Sequence, residues 1–191
     1  MTAQIVLASA SPRRSELLKQ IGVRHKVCVV DIDETPLPNE QPEAYVQRVA
    51  AEKSAACLIV LNQDLPILSA DTSVVCDGRI LGKPENELHA VEILSLLSGR
   101  THQVYSAISL RGDQHWQAIS LSQVSFRSLS RAEMIGYWRT GEPCDKAGAY
   151  AIQGLGGIFI ESITGSFSGV MGLPLFETSQ LLTLQGIKVI A

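Results

Sequence analysis

The chain has 191 residues, enough for one domain with a full hydrophobic core, and it contains no low-complexity tract and no internal repeat. Hydrophobic residues make up 46% of it and charged residues 18%, a composition that excludes a disordered chain. The formal net charge is −3 and the Lys and Arg residues are scattered, which argues against a nucleic-acid polymer as the partner. We therefore expect a single domain over residues 1–191.

Neither the cysteines nor the hydropathy pattern indicates an exported or membrane protein. Residues 1–10 lack the basic region and long apolar stretch of a signal peptide, and no apolar run approaches the roughly 18 residues that span a bilayer. The cysteines show neither C-x-x-C nor metal spacing, so we expect reduced thiols in a cytosolic protein with no membrane partner. The histidines, which also lack metal spacing, are interpreted as surface or capping residues: His25, His89, His102 and His115.

Hydrophobic periodicity and turn residues predict strands and helices that are intermixed along the chain. In chain order these are strand 4–8, helix 12–20, strand 25–30, helix 42–61, strand 65–75, its hairpin partner to residue 81, helix 86–97, strands 101–111 and 115–127, helix 131–139, strand 157–161 and helix 174–184. Because tight hairpins occur among the helices, the pattern favours a mixed-sheet α/β architecture over a purely parallel one.

Residues 9–14 read Ser-Ala-Ser-Pro-Arg-Arg at the start of the first predicted helix. Free backbone N–H groups at a helix start bind anions, and two hydroxyls and two guanidinium groups stand beside them. Arginine adds a planar fork that matches phosphate oxygens. The pattern predicts a phosphate cradle at Arg13 and Arg14, and the alternative is a capped helix whose two arginines face solvent.

Lys53 lies on the helix predicted for residues 42–61, on the same face as Tyr45 and Val49. The lysine therefore points where apolar residues point. One interpretation is a residue at the edge of the core that extends its ammonium to solvent. The other is a cation directed into a binding site.

Asp71 interrupts an apolar strand, where Ile67, Leu68, Val74 and Val75 surround it in the sequence. A carboxylate in such a position is costly to bury unless it has a partner such as a base, a metal or a phosphate-bound water. We expect a functional carboxylate held rigidly by its strand. The alternative is a hydrogen-bonded aspartate of the core or of a strand edge.

Further charged residues follow the second strand, at Asp31, Asp33 and Glu34, and the predicted hairpin, at Lys83. Each alone is weak, because acidic loops are usually just solvated. Together with Asp71 they provide oxygen ligands for Mg²⁺ or Mn²⁺, cations for a phosphate tail, and a carboxylate to deprotonate water. These are the groups that pyrophosphate-bond cleavage needs. The chain has no G-x-x-x-x-G-K-[ST], G-x-G-x-x-G or G-x-S-x-G motif, which argues against a P-loop ATPase, a dinucleotide-binding protein and a serine hydrolase.

Five segments then stand in one order: residues 9–14, Ala-Asp-Thr at 70–72, Gly-Lys-Pro at 82–84, Asp-Lys-Ala-Gly-Ala-Tyr with Ile-Gln-Gly between 145 and 154, and Gly-Leu-Pro-Leu at 172–175. Over almost the whole chain this series resembles the Maf family. The resemblance implies an α/β fold related to the inosine triphosphate pyrophosphatases, two lobes flanking a cleft, and a frequent homodimer. It also implies release of a nucleoside monophosphate and pyrophosphate from a small-molecule nucleotide, with a divalent cation.

The resemblance also implies roles for individual residues. Asp71 would be the proton acceptor and, with Glu34, would hold Mg²⁺ or Mn²⁺. The phosphate-binding set would be Ser9, Arg13, Arg14, Lys53 and Lys83. Base preference would be set by Arg13, Thr72 and Gln153. Of these, the glutamine amide can both donate to and accept from a pyrimidine edge.

The stretch from residue 145 to 153 resembles the branch of the family that acts on dTTP and UTP, in a housecleaning role, and not the branch that acts on 7-methyl-GTP. Residues 165–171 depart from the pattern, with serine and glycine where relatives often carry asparagine or bulkier residues. Two alternatives remain open. One is a nucleotide-binding regulator of septum formation that acts through a partner, and the other is an enzyme directed at modified bases.

Overall fold

The computed structural model describes residues 2–61 and 64–190. The strands in this part of the chain are β1 Ile5–Leu7, β2 His25–Val27, β3 Ile67–Cys76, β4 Arg79–Leu81, β5 Thr101–Arg111, β6 His115–Phe126 and β7 Ile160–Thr164. The helices are α1 Pro12–Gln20, α2 Pro42–Val60, α3 Glu87–Leu97, α4 Arg131–Trp138, α5 Phe167–Met171 and α6 Leu175–Leu184. None of these helices combines the length and the apolarity needed to cross a membrane.

Within these residues the strands form one seven-stranded mixed sheet in the order β2-β1-β3-β5-β6-β7, and β4 pairs with β3. β1 runs parallel to β2 and β3, and the other pairs are antiparallel. The mixed sheet with flanking helices that the sequence predicts is therefore confirmed.

The first lobe covers both faces of the sheet around β1, because successive side chains of a strand alternate between faces. Ile5 and Leu7 pack against residues of α1 and α6 on one face. Val6 and Ala8 pack with Cys57 of α2 on the other. Removal of apolar surface from water on both faces stabilises the short strand β1.

The second lobe covers the far halves of β3, β5 and β6, where α3, α4 and the 3₁₀ turns around residues 142–159 pack. Aromatic rings dominate its core: Phe126 meets Tyr150 at 4.8 Å and His102 at 5.0 Å between ring centroids, both edge to face. Such contacts add to burial because the ring edge is electropositive and the face electronegative. Long central strands thus connect two separately packed lobes.

Strand β3 is paired unevenly on the edge opposite β5. Leu68 pairs with β1, and Val74 pairs with β4. Among the described residues, no strand pairs with the intervening residues 69–73 on that edge, and we call this gap the notch. Consecutive strand residues point to opposite faces. Asp71 therefore faces α2, where it bonds Lys53, and Thr72 faces α5, to which Ser106 links it.

One predicted strand in the C-terminal half begins later than the sequence indicates. The strand predicted for residues 157–161 begins only at Ile160, because Leu155–Phe159 forms a 3₁₀ turn. A Cβ at Gly156 or Gly157 would lie 2.8–3.0 Å from backbone atoms of residues 151 and 152, so the glycines allow a close chain approach there.

Two other differences have local causes. The strand predicted for residues 25–30 ends at Val27, where pairing with the three-residue β1 ends. Helix α5, absent from the prediction, has only five residues and is capped by the Ser166 side chain, which accepts from Gly169 N–H. Such a short glycine-containing helix has too few positions to show a helical period.

Candidate active site

A cleft of about 670 Å³ opens at the notch between the two lobes. Most of the residues that the sequence indicated for the site line it: Ser9, Arg13, Arg14, Glu34, Lys53, Asp71, Thr72, Lys83 and Gln153. They come from the loop after β1, from α1, the loop after β2, α2 and β3, and from the segments after β4 and around residue 150. Asp31 and Asp33, which the sequence grouped with Glu34, are exposed and lie outside the lining. The structure therefore brings most of the predicted residues together, while the role of each stays a prediction.

Lys53 is the centre of the charged floor of the cleft. Its Nζ lies 2.9 Å from Asp71 Oδ1 and 3.0 Å from Glu34 Oε1. The Lys53 side chain is only 12% exposed and that of Asp71 9%, so both charges are largely withdrawn from water and compensate each other. Lys53 is thus a cation directed into the cleft and not a lysine that extends to solvent.

Glu34 belongs to a loop without regular structure, and α2 holds this loop in place. The Tyr45 hydroxyl donates to the Glu34 carbonyl at 2.8 Å, and Arg48 donates to the Thr35 carbonyl at 3.1 Å. Burial raises the pKa of Tyr45 to about 12, and the charges of Asp71 and Glu34 act in the same direction. The hydroxyl therefore remains a donor at neutral pH and fixes the backbone that carries Glu34.

Arg14 is held by two acceptors at the other end of the floor. Its Nε donates to the Gly172 carbonyl at 2.8 Å, and Nη1 donates to Ser9 Oγ at 3.1 Å. Burial lowers the pKa of Arg14, the nearby Asp71 charge opposes this, and the guanidinium stays charged because its ordinary value is so high. Ser9 and Gly172 thus orient a fixed positive charge towards the cleft.

The start of α1 is open to an anion. Ser11 occupies the N-cap position with Pro12 after it, but its side chain forms no cap hydrogen bond. The first turn contains no acidic residue. Unpaired N–H groups and the positive end of the helix dipole therefore face the cleft lining at residues 10–14.

The opposite wall carries an ion-pair chain that the sequence did not single out. Asp145 Oδ2 lies 3.8 Å from Arg13 Nη1, and the Asp145 carboxylate also contacts Lys146 Nζ. Among the described residues, five cationic and three anionic side chains line the cleft, although the chain as a whole carries −3. A cleft with a local positive excess suits a small polyanion.

Lys83 and Gln153 are exposed where they line the cleft, and Gln153 belongs to a loop that two other residues fix. Glu142 accepts the backbone N–H groups of Leu155 and Gly156 at 2.9 and 3.0 Å. The Tyr137 hydroxyl donates to Glu142 at 2.6 Å. The sequence gave no sign of this support, because it joins α4 to a loop through side chains that follow no motif.

A divalent cation fits the donor set. In residues 2–61 and 64–190 no group of three or more His, Cys, Asp and Glu side chains is close enough to hold a metal alone. Glu34 and Asp71 do converge, since both contact the same Lys53 ammonium. Mg²⁺ is typically bound by one or two carboxylates with the remaining positions filled by substrate phosphates and water, and this pair matches that pattern.

Comparison with known proteins identifies the family. Residues 4–185 match the family described as Maf-like protein, and the chain belongs to it. The dTTP/UTP pyrophosphatase of Methylococcus capsulatus is 54% identical over 185 residues, covering 96% of this chain and 92% of that protein. The dTTP/UTP pyrophosphatase of Nitrosomonas europaea is 52% identical and covers 97% and 96% of the two chains. A solved dITP/XTP pyrophosphatase from Mycobacterium abscessus aligns over 65% of this chain and 75% of its own, at 16% identity and a TM-score of 0.42.

Proposed function

We propose that this protein hydrolyses dTTP and UTP to the nucleoside monophosphate and pyrophosphate, as a housecleaning enzyme of the nucleotide pool. The observation that carries the proposal is the Lys53–Asp71–Glu34 cluster at the floor of a cationic cleft. Relatives at 54% and 52% identity named dTTP/UTP pyrophosphatase support the reaction and the bases. Pyrophosphate-bond cleavage needs a proton acceptor beside concentrated positive charge, and the cleft supplies both.

In the proposed reaction a water attacks the α-phosphorus. Its oxygen forms the new P–O bond, its proton passes to the Asp71 carboxylate, and the bond from the α-phosphorus to the bridging oxygen breaks to release pyrophosphate. Lys53 occupies Asp71 Oδ1, so Oδ2 is the oxygen we assign to the water. Arg13, Arg14, Lys53 and Lys83 offset the charge that develops on the leaving pyrophosphate, as cations positioned around a developing charge do.

The metal part of the proposal concerns Glu34 and Asp71, which would hold Mg²⁺ or Mn²⁺. A bound divalent ion supplies Lewis-acid neutralisation of phosphate charge. The residues of the chain act beside it: Ser9 and the start of α1 bind phosphate oxygens, and Tyr45 keeps Glu34 in position. Arg13, Thr72 and Gln153 are proposed to contact the base side of the nucleotide.

The test is pyrophosphate release from dTTP, UTP, CTP, GTP, 7-methyl-GTP and modified pyrimidine triphosphates, with Mg²⁺ or Mn²⁺. For Asp71→Asn we expect a loss of about 10²–10⁴-fold in kcat, the usual contribution of a positioned acid or base, with nucleotide still bound. Asp77→Asn is the matched control, because Asp77 lies in the β3–β4 turn, pairs with Arg100 and is outside the cleft lining.

The outcomes separate the alternatives. Activity confined to dTTP, UTP and close relatives, lost in Asp71→Asn and kept in Asp77→Asn, supports the proposal. Near-normal turnover in Asp71→Asn removes Asp71 from the role of base. Binding of nucleotide without turnover favours a regulator that acts through a partner, and a strong preference for modified bases favours an enzyme directed at those.

We also propose that residues 1–191 form one functional domain that acts in the cytosol, where its triphosphate substrates are found, and that two copies associate as a homodimer. Both lobes contribute to the cleft, which supports a single unit. Sedimentation of the purified protein tests the homodimer, and a single monomer species at micromolar concentration contradicts it.

A further inference from the structure

A chain of three hydrogen-bonding groups lies behind the Thr72 side of the cleft. Thr72 Oγ1 is 2.8 Å from Ser106 Oγ, and Ser106 Oγ is 2.6 Å from the Gly169 carbonyl oxygen. Thr72 and Ser106 stand directly opposite each other in the β3–β5 register. The chain therefore links two strands of the sheet to helix α5.

Counting protons fixes the direction of this chain. A carbonyl oxygen can only accept, so the single O–H of Ser106 is donated to Gly169. Ser106 then has only lone pairs left for Thr72, and the Thr72 hydroxyl must be the donor between them. Because its one hydrogen is used, the Thr72 oxygen offers the cleft lone pairs alone.

The chain is also rigid. Ser106 is completely buried, and Gly169 is buried with its N–H donated to Ser166 Oγ at 3.0 Å. The Gly169 carbonyl also accepts Gly172 N–H at 2.9 Å. Rotation of the Ser106 hydroxyl away from it would still be costly, because two oxygens 2.6 Å apart would have no hydrogen between them. Ser166 and Gly169 belong to the segment 165–171 that departs from the family pattern, so the departure has a structural consequence at the cleft wall.

We propose that Ser106 is a positioning residue for base selection, because it makes Thr72 a pure hydrogen-bond acceptor towards the nucleotide. Uracil and thymine present N3–H on the edge that pairs with other bases, whereas cytosine presents a lone pair at N3. An acceptor at Thr72 bonds the first and repels the second. The inference deepens the proposed function, since it gives a physical reason for acting on dTTP and UTP and not on CTP.

The same logic predicts what happens without Ser106. In Ser106→Ala the Thr72 hydroxyl loses the acceptor that holds its hydrogen, so it can turn and donate to cytosine N3. We expect the preference for UTP over CTP in kcat/KM to fall about tenfold or more, because one hydrogen bond is exchanged for another of the opposite direction. We expect kcat/KM for CTP to rise and kcat/KM for UTP to fall modestly, while kcat for UTP is largely kept.

The experiment compares Ser106→Ala with Ser109→Ala. Ser109 lies on the same strand, is equally buried and makes side-chain hydrogen bonds to Ser54 and His115. The Ser106 side chain bonds Thr72, whereas the Ser109 side chain bonds none of the described residues that line the cleft. Each protein is assayed for UTP and CTP turnover, and for binding of the non-hydrolysable α,β-methylene analogues of both by calorimetry. Ser106→Cys, which keeps the size of the side chain with a weaker donor, gives an intermediate ratio if the idea is right.

Three results would overturn the inference: an unchanged UTP:CTP ratio in Ser106→Ala and Ser106→Cys, an equal change in Ser109→Ala, or equal binding of the two analogues by the parent protein. Failure of the proposed function looks different. A parent protein that binds the uridine analogue selectively but releases no pyrophosphate loses the enzymatic role, while the role of Ser106 is still decided by the binding ratios.

Discussion

Lys53 is the residue on which the two carboxylates of the cleft converge. It contacts one oxygen of Asp71 and one of Glu34, and the Asp71 side chain is 9% exposed. Removing the ammonium would leave two negative charges close together, one of them nearly buried. Lys53 therefore affects both the folded state and the proposed chemistry.

We predict that Lys53→Met lowers the free energy of unfolding by about 1–3 kcal/mol, the cost of leaving a buried hydrogen-bonding group without its partner. We also expect kcat/KM for the triphosphate to fall by about 10²-fold or more, as when a preorganised donor is removed. Urea denaturation and pyrophosphate release measure the two effects.

Lys83→Met is the matched control for stability. Lys83 lines the same cleft but is exposed, so its removal should change the free energy of unfolding by less than about 0.5 kcal/mol. Equal destabilisation by the two substitutions would contradict the assigned pairing of Lys53.

At the scale of elements, the contact between β3 and the short 3₁₀ turn Ala147–Ala149 joins the far wall of the cleft to the sheet. Gly148 adopts a φ of +71°, and its N–H donates to the Gly82 carbonyl at 3.1 Å. A Cβ at this position would meet the Val74 side chain at 2.8–2.9 Å. Both the backbone conformation and the contact therefore require glycine in the Asp-Lys-Ala-Gly-Ala-Tyr segment.

We predict that Gly148→Ala lowers the free energy of unfolding by about 2–5 kcal/mol, since the left-handed conformation costs about 1–2 and overpacking about 1–3 kcal/mol. Thermal and urea unfolding measure the change. Gly136→Ala is the control: Gly136 lies inside α4 with no atom within 4 Å of the added Cβ, so alanine should be neutral or stabilising by up to about 1 kcal/mol. A Gly148→Ala protein as stable as the parent would refute the packing described here.

The elements that the sequence predicts correctly have local signals. Asp77 and Gly78 adopt the positive φ angles, 50° and 73°, of the predicted hairpin turn. The helix predicted for residues 131–139 begins with a capping box at Ser130 and Glu133, which forms both its hydrogen bonds. The 3₁₀ turn at Leu155–Phe159 depends instead on a close approach to residues 151 and 152, which an apolar run does not reveal.

The candidate site also contains residues that the sequence predicts and residues that it does not. The cleft residues could be predicted because they lie in short segments that resemble a family and carry charge in unusual places, as Asp71 does within an apolar strand. Ser106, Tyr137 and Glu142 could not, because they act through other residues: Ser106 on Thr72 across a strand pair, and the other two on the loop of Gln153. A serine in a strand or a glutamate after a helix has no pattern that distinguishes it.

At the scale of the whole molecule, the core of the second lobe contains a histidine, His102. The sequence-based interpretation of His102 as a surface or capping residue is therefore wrong. His102 is 2% exposed, and Nε2 is 2.9 Å from the Tyr150 hydroxyl. Its Nδ1 has no hydrogen-bond partner among the described residues. Burial lowers the pKa of His102 to about 4, so the ring is neutral in the folded protein at neutral pH.

We predict that this histidine makes the protein sensitive to acid. Between pH about 6.5 and about 4 the unfolded chain binds a proton at residue 102 and the folded chain does not. The stability of the folded state is therefore unaffected by this residue above pH about 6.5 and falls as the pH is lowered through this range. The free energy of unfolding should decline with a slope approaching about 1.4 kcal/mol per pH unit from this residue alone. In His102→Gln the free energy of unfolding should decline less steeply with falling pH, whatever the stability of this variant at pH 7. Urea titrations at several pH values measure the slope, and an unchanged slope would refute the assignment.

The register of β3 against β5 determines which side chain of the notch lies on which face of the sheet. Asp71 and Thr72 are neighbours in the chain, yet they reach the cleft from opposite faces of the sheet, opposite Ala107 and Ser106 respectively. If β3 slid by one residue, every side chain would change face, and the carboxylate would stand where the nucleobase is proposed to be read. Where the water is activated and which base is accepted are therefore tied to a single strand pairing, so insertions or deletions in β3 should remove turnover and selectivity together.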